Sequence, residues 1–196
     1  MALSLANIEI ELREILLKDR PQSLFSISAK GTVPVLQTNE KVIDESLDIM
    51  FWAFNKTKIL TRFLSKIELQ EEIIHRNDHK FKTWLDRYKY NNRYDDYPLE
   101  KCKIKSEEIL DIYELSLSKN NYLLGDSLML VDIAIFPFVR QYANIDLVYF
   151  ISKFPNIKNW LDKISESELF MSVMKKYPQW KLGDFPKIIK FKNEFI

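Results

Sequence analysis

Pro34 occupies a position in the sequence that regular β-structure does not explain. It lies inside the β-rich run Thr32–Leu36, where a proline removes a hydrogen-bond donor and is normally confined to edges and bulges. A cis Val33–Pro34 bond would resolve this conflict, because it turns the chain and exposes the backbone N–H and C=O of Val33. Only about 5–6% of X–Pro bonds in folded proteins are cis. The preceding Gly31-Thr32 and the hairpin and helix signals that follow favour the cis form here, with Val33 offering its backbone to a ligand.

A second candidate group lies at the start of a predicted helix. The cluster Asp44-Glu45-Ser46 precedes apolar residues at helical spacing, namely Leu47, Met50, Phe51 and Phe54. The simplest interpretation is helix capping, which stabilises a helix by about 1 kcal/mol and needs no ligand. Because Pro34 lies upstream, we favour a binding role for Glu45 and Ser46.

Two further features suggest chemistry that the surrounding sequence does not support. His75 and His79 are four residues apart on a predicted helix, which is compatible with metal binding, but no third ligand is evident nearby. We therefore predict a solvated helix face and no metal site. Cys102 lies on the apolar side of its helix, which favours a core position over a nucleophile.

The elements that hold Val33 and Glu45 belong to a small α/β unit. Ile8 to Arg13 alternate between apolar and charged residues, the pattern of a half-buried strand. Asp19 is predicted to cap a short helix with Pro21 in its first turn. The runs 32–36 and 41–43 predict a β-hairpin.

After Asn55 the patterns predict only helices. Amphipathic spacing marks helices near 81–88 and 99–117, the run 128–142 is apolar almost all round, and Pro155 can open another helix. We therefore predict two domains, an α/β domain at 1–54 and an all-helical domain at 60–196.

Composition limits the classes of function. The 196 residues carry a formal net charge of +1 with both signs interspersed, which gives no electrostatic footprint for nucleic acid or an anionic membrane. One cysteine cannot form an internal disulfide, and no apolar run approaches the roughly 20 residues that span a bilayer. The start of the chain lacks the features of a signal peptide. These observations predict a cytoplasmic protein.

Two motifs, in this order and at this spacing, resemble those of glutathione transferases. Gly31 to Leu36 followed by Ile43 to Ile49 is similar to the second half of their thioredoxin-like domain. Tyr122 to Asp126 followed by Val131 to Pro137 is similar to the buried, capped helix of their C-terminal domain. The resemblance runs from residue 1 to about residue 180. It implies a partial thioredoxin-like α/β domain followed by an all-α helical bundle.

The resemblance also implies glutathione as the ligand and co-substrate, without a metal. The backbone of Val33 beside Pro34 would pair with the cysteinyl unit, and Ser46 at the helix start would bind the γ-glutamyl carboxylate. Glu45, or alternatively Asp44, would bind the γ-glutamyl ammonium. Lys30 and Arg20 are the candidates for the glycyl carboxylate. In the family, the position of Asp132 is a structural cap, and the protein forms a homodimer.

The catalytic residue is not identified, because Met1 to Ala6 resembles only the last turns of the family's first helix. The strand and loop that would carry a catalytic Ser, Tyr or Cys are expected upstream, and a wrongly assigned start codon is our preferred interpretation. Three functions stay open. They are conjugation of glutathione to a small electrophile, thiol exchange with a disulfide substrate, and a non-catalytic binding or regulatory module.

Overall fold

The computed structural model describes residues 1–57 and 63–191 and divides the chain into two compact units. The first unit combines Met1–Thr61 with Ser167–Ile196, and the second is Arg62–Glu166. The predicted join between residues 54 and 60 falls partly on residues outside the described ranges. The spatial units differ from the predicted domain bounds in one respect, because the last thirty residues group with the first unit.

The first unit is built from short elements. Its helices are α1 (Ala2–Leu5), α2 (Gln22–Ile27), α3 (Ser46–Asn55) and α10 (Glu168–Val173), and its strands are β1 (Ile10–Glu11), β2 (Leu36–Gln37), β3 (Val42–Ile43) and β4 (Ile188–Ile189). Helix α1 packs against α3 and α10. Among the described residues, the buried apolar side chains of this unit are Ala2, Leu5, Ala6, Leu24, Ile43, Ile49, Ala53, Phe54, Leu169 and Phe170.

The strands form two separate antiparallel pairs. β2 pairs with β3 as the predicted hairpin, closed by Thr38, whose backbone N–H donates to the carbonyl of Lys41 over 2.8 Å. β1 pairs with β4, with Ile10 opposite Ile189. The prediction that no strand follows Asn55 is therefore wrong. The β-branched pair Ile188-Ile189 forms a ladder with β1, which supplies the hydrogen-bond partners that a strand edge requires.

The predicted cap of the first short helix is also wrong. Helix α2 begins at Gln22, with Pro21 as its N-cap residue and no side-chain cap. The carboxylate of Asp19 instead accepts a hydrogen bond of 2.9 Å from Nε2 of Gln179. The carboxylate of Asp19, which the local sequence predicts to cap the helix, therefore binds a residue that is distant in the chain.

The second unit is helical, and it follows the predicted spacing closely. It contains α4 (Ile67–Arg76), a π-helical turn (Asn77–Phe81), α5 (Lys82–Lys89), a 3₁₀ turn (Asn91–Arg93), α6 (Leu99–Leu117), α7 (Leu130–Ala143), α8 (Leu147–Lys153) and α9 (Pro155–Ser165). Helix α7 is buried along most of its length, as its all-round apolar sequence predicts. Within the described residues, no helix has both the length and the apolarity to span a membrane.

Asp132 joins three parts of this helical unit. Its side chain is fully buried and accepts hydrogen bonds from the backbone N–H of Leu123 and Met129, each over 2.9 Å. Nε1 of Trp160 on α9 donates a third bond over 3.0 Å. Burial raises the pKa of this carboxyl to about 6, although the three donors favour the ionised form. One carboxylate therefore ties the 122–125 loop, the start of α7 and α9 together.

Candidate functional site

The bend before β2 has the predicted backbone geometry. The Val33–Pro34 bond is cis, which confirms the prediction made from the position of the proline. Val33 is 45% exposed. Among the described residues, the backbone N–H and C=O of Val33 make no hydrogen bond to another backbone group. Both groups are therefore free to pair with an extended ligand.

Gly31 sets the entry to this bend. Its φ is +59°, a left-handed conformation that favours glycine. A β-carbon at this position would lie 2.3 Å from Cε1 of Phe25 on α2, so a larger residue would also displace that ring. The N–H of Gly31 donates to the carbonyl of Ser28 over 3.0 Å, closing the turn that leads into the bend.

Side chains tie this turn to the start of α3. Oγ of Ser28 donates to Oδ2 of Asp44 over 2.9 Å. Nζ of Lys30 lies 3.4 Å from Oδ1 of Asp44 and 2.5 Å from Oε1 of Glu45. The hydrogen bond from Ser28, and then the Lys30 ammonium, lower the pKa of Asp44. The hydrogen bond to Glu45 in turn raises the pKa of Lys30. The Asp44 carboxyl is therefore ionised at neutral pH.

The start of α3 has no side-chain cap. Glu45 is the N-cap residue, and its carbonyl accepts from the N–H of Ile49 over 3.0 Å, but no side-chain oxygen bonds the free N–H groups of the first turn. The hydroxyl of Ser46 is exposed and makes no hydrogen bond within the described residues. A helix start with free N–H groups and a free hydroxyl can bind an anionic group of a ligand.

Arg20 lies between the turn 16–19 and α2 and, within the described ranges, makes no hydrogen bond or ion pair with the other candidate residues. Its Nε donates to the carbonyl of Leu17 over 3.1 Å. Across the described part of the chain, its two terminal guanidinium nitrogens have no hydrogen-bond or ion-pair partner. Arg20 therefore offers an unneutralised cation, whereas the charge of Lys30 is paired with Asp44 and Glu45.

The contact between Ser28 and Asp44 was not expected from the sequence. A serine three residues before a glycine is common in turns, and its partner is 16 residues away. The only signal in the sequence was the position of Asp44 in the cluster Asp44-Glu45-Ser46, which marks a hydrogen-bond acceptor without identifying its donor.

The other reactive side chains do not form a site among the described residues. The rings of His75 and His79 lie 4.2 Å apart on an exposed face, and the described residues hold no group of three His, Cys, Asp or Glu side chains arranged for a metal. Cys102 is fully buried, and burial raises the pKa of its thiol. It is therefore a core residue, poorly suited to act as a nucleophile.

Two stretches of the chain match models of one known protein family. Residues 1–58 match the family model "Glutathione S-transferase, N-terminal domain", and residues 79–168 match "Glutathione S-transferase, C-terminal domain". Glutathione S-transferase F10 of Arabidopsis thaliana is 36% identical over 84 residues, which are 42% of this chain and 39% of that protein. Glutathione S-transferase 1 of Triticum aestivum is 30% identical over 76 residues, 38% of this chain and 33% of that protein. These sequence matches therefore span well under half the length of the curated relatives.

Solved structures resemble most of the chain. Glutathione S-transferase-I bound with lactoylglutathione matches with a TM-score of 0.69 at 19% identity, over 88% of this chain and 90% of that one. The ternary complex of BphK, a bacterial GST, matches with a TM-score of 0.70 at 18% identity, over 87% and 88%. The fold is thus a thioredoxin-like α/β domain followed by an all-helical domain, which confirms the predicted fold class.

Proposed function

The chain belongs to the glutathione S-transferase family, and we propose that it binds glutathione at the Val33–Pro34 bend and the start of α3. The observation that carries this proposal is the pair of contacts from Ser28 and Lys30 to Asp44 and Glu45. These contacts hold the turn that leads into the bend against the helix start. The unpaired backbone of Val33 and the uncapped start of α3 are thereby held in one folded segment.

Each part of glutathione has a proposed partner. The cysteinyl unit pairs with the backbone of Val33 next to Pro34, as a short antiparallel strand would. The γ-glutamyl carboxylate binds Ser46 and the free N–H groups of α3, and the γ-glutamyl ammonium binds Glu45. Asp44 is a weaker candidate than Glu45, because both of its oxygens already accept hydrogen bonds, from Ser28 and Lys30.

The two candidates for the glycyl carboxylate differ in their availability. Arg20 has free terminal nitrogens, so it can form a two-point contact with a carboxylate. Lys30 must first leave Glu45, and the γ-glutamyl ammonium would favour this exchange by taking its place. We therefore assign the glycyl carboxylate to Arg20, with Lys30 as a secondary cation.

The reaction that fits this ligand is transfer of glutathione to a small electrophile. The glutathione thiolate attacks the electrophilic carbon and a leaving group departs, so that a C–S bond replaces the bond to that group. With a disulfide as the second substrate, the same thiolate attacks sulfur and releases a thiol. Either reaction fits a detoxifying enzyme of the cytoplasm. The group that stabilises the thiolate is not assigned to any described residue.

The test measures binding and turnover separately on the purified chain. Glutathione titration by calorimetry should show one site, and conjugation to 1-chloro-2,4-dinitrobenzene or reduction of a glutathione mixed disulfide should show which reaction is run. Absence of glutathione binding at millimolar concentration would overturn the proposal. Binding without either reaction would favour the alternative function, a non-catalytic binding or regulatory module.

We also propose a two-fold symmetric homodimer, the commonest form of soluble oligomer. Light scattering at micromolar concentration should then give twice the 23.4 kDa mass of the chain. A particle of 23.4 kDa at that concentration would contradict the dimer and leave the glutathione site unaffected.

A further inference from the structure

The residues that follow α10 run along the strip of chain that leads to Arg20. We call residues 174–191 the C-terminal segment and residues 9–20 the strip. Besides the β1–β4 ladder, the N–H of Leu12 donates to the carbonyl of Lys187 over 2.8 Å. The N–H of Trp180 donates to the carbonyl of Glu14 over 2.7 Å. The backbone contacts therefore extend from the start of the strip, at Ile10, to its middle, at Glu14.

Side chains continue this pairing. The Arg13 guanidinium lies 4.8 Å from the centre of the Trp180 ring, a distance typical of a cation–π contact. Nε2 of Gln179 donates to Oδ2 of Asp19 over 2.9 Å and lies 3.5 Å from the Asp19 carbonyl. Gln179 therefore binds the end of the strip, because its partner Asp19 is the residue immediately before Arg20.

Asp19 also closes the turn that orients Arg20. Its N–H donates to the carbonyl of Leu16 over 2.9 Å, and Nε of Arg20 donates to the carbonyl of Leu17 over 3.1 Å. The side chain of Asp19 points to Gln179 while its backbone holds the turn. Loss of Gln179 would leave the turn with only these two local hydrogen bonds, and exposed turns of this kind open readily.

We propose that Gln179 is a positioning residue for Arg20. By holding Asp19, it fixes the turn 16–19 so that the guanidinium of Arg20 faces the glycyl carboxylate of glutathione. This inference rests on the proposed function. Gln179 lies 160 residues from Asp19 in the chain. The C-terminal segment thus takes part in selecting ligands that end in a carboxylate.

The test compares two ligands that differ only at the glycyl end. Glutathione carries the free carboxylate, and its glycine monoethyl ester does not. Gln179→Ala should weaken glutathione binding about fivefold, as expected for one exposed charge contact, and leave the affinity for the ester unchanged. In the background Arg20→Met, which removes the cation, Gln179→Ala should have no further effect on glutathione.

The matched control is a pair of variants in which the amide and the carboxylate exchange places. Gln179→Glu alone sets two carboxylates against each other and should weaken glutathione binding. In the double variant Gln179→Glu with Asp19→Asn, the amide at position 19 donates to the carboxylate at position 179. The hydrogen bond between the two positions is thereby restored, and the wild-type affinity should be recovered.

Each outcome separates this inference from the proposed function. If wild-type protein binds neither ligand, the proposed function fails. If wild-type protein binds glutathione and Gln179→Ala changes nothing, or weakens glutathione and ester equally, the positioning role is overturned.

Discussion

Replacing Asp132 by alanine is expected to lower the free energy of unfolding by about 3–5 kcal/mol, because three donors lose the buried carboxylate that accepts their hydrogen bonds. The three donors are the N–H groups of Leu123 and Met129 and Nε1 of Trp160. A hydrogen bond to a charged group contributes about 1.5–3 kcal/mol, and bonds to one carboxylate do not add fully. Chemical denaturation followed by tryptophan fluorescence measures the loss.

Two control variants make this result specific. Asp132→Asn keeps the oxygen that serves Leu123 and Trp160 but faces Met129 with an amide donor, so an intermediate loss is expected. Asp162→Ala removes a half-buried carboxylate of α9 whose ion-pair partner among the described residues is Lys158, and should cost less than about 1 kcal/mol. Equal effects of Asp132→Ala and Asp162→Ala would show that the buried carboxylate does not organise this unit.

Glu45→Ala and Ser46→Ala are each expected to weaken glutathione binding about 10- to 150-fold, with little change in melting temperature. Each variant removes a charge-assisted contact to the γ-glutamyl end, which is equivalent to about 1.5–3 kcal/mol. Stability should change little because neither side chain caps α3 and the Lys30–Glu45 pair is exposed. Calorimetric titration and thermal melting measure the two quantities on the same samples.

Asp48→Ala is the matched control for this pair. Asp48 is an exposed carboxylate in the first turn of α3, so its removal changes the charge near the helix start without touching a proposed ligand contact. Glutathione affinity should stay within about twofold of wild type, as for an exposed charge that contacts no group of the ligand. Asp44→Ala decides the alternative left open by the sequence, since a loss larger than that of Glu45→Ala would transfer the ammonium contact to Asp44.

Local signals in the sequence predicted most of the helices and the bend at Val33–Pro34. Helix α6 begins and ends as the apolar spacing indicates, and α9 begins at Pro155, because both helices bury one regular face. The cis bond at Pro34 followed from a local conflict between a proline and a strand-like run. Each of these features depends on residues that are neighbours in the chain. The sequence alone was therefore sufficient to predict them.

Contacts between distant parts of the chain were not predictable in this way. The strand β4 consists of two isoleucines whose partner lies 177–179 positions earlier, and a two-residue strand leaves no periodic pattern. Asp19 is of a residue type that commonly caps helices, but its carboxylate accepts a hydrogen bond from the distant Gln179 instead. The pairing of Lys30 with Glu45 likewise depends on the folded turn, so its charge could not be assigned from the sequence.

The most direct test of the central claim is an amide ¹H–¹⁵N spectrum of the chain during titration with glutathione. The proposed glutathione site predicts that the largest shifts occur at Val33, Glu45 and Ser46, that they saturate together, and that they require higher glutathione concentrations in Ser46→Ala. Shifts that saturate elsewhere in the chain while these three amides stay unchanged would contradict it.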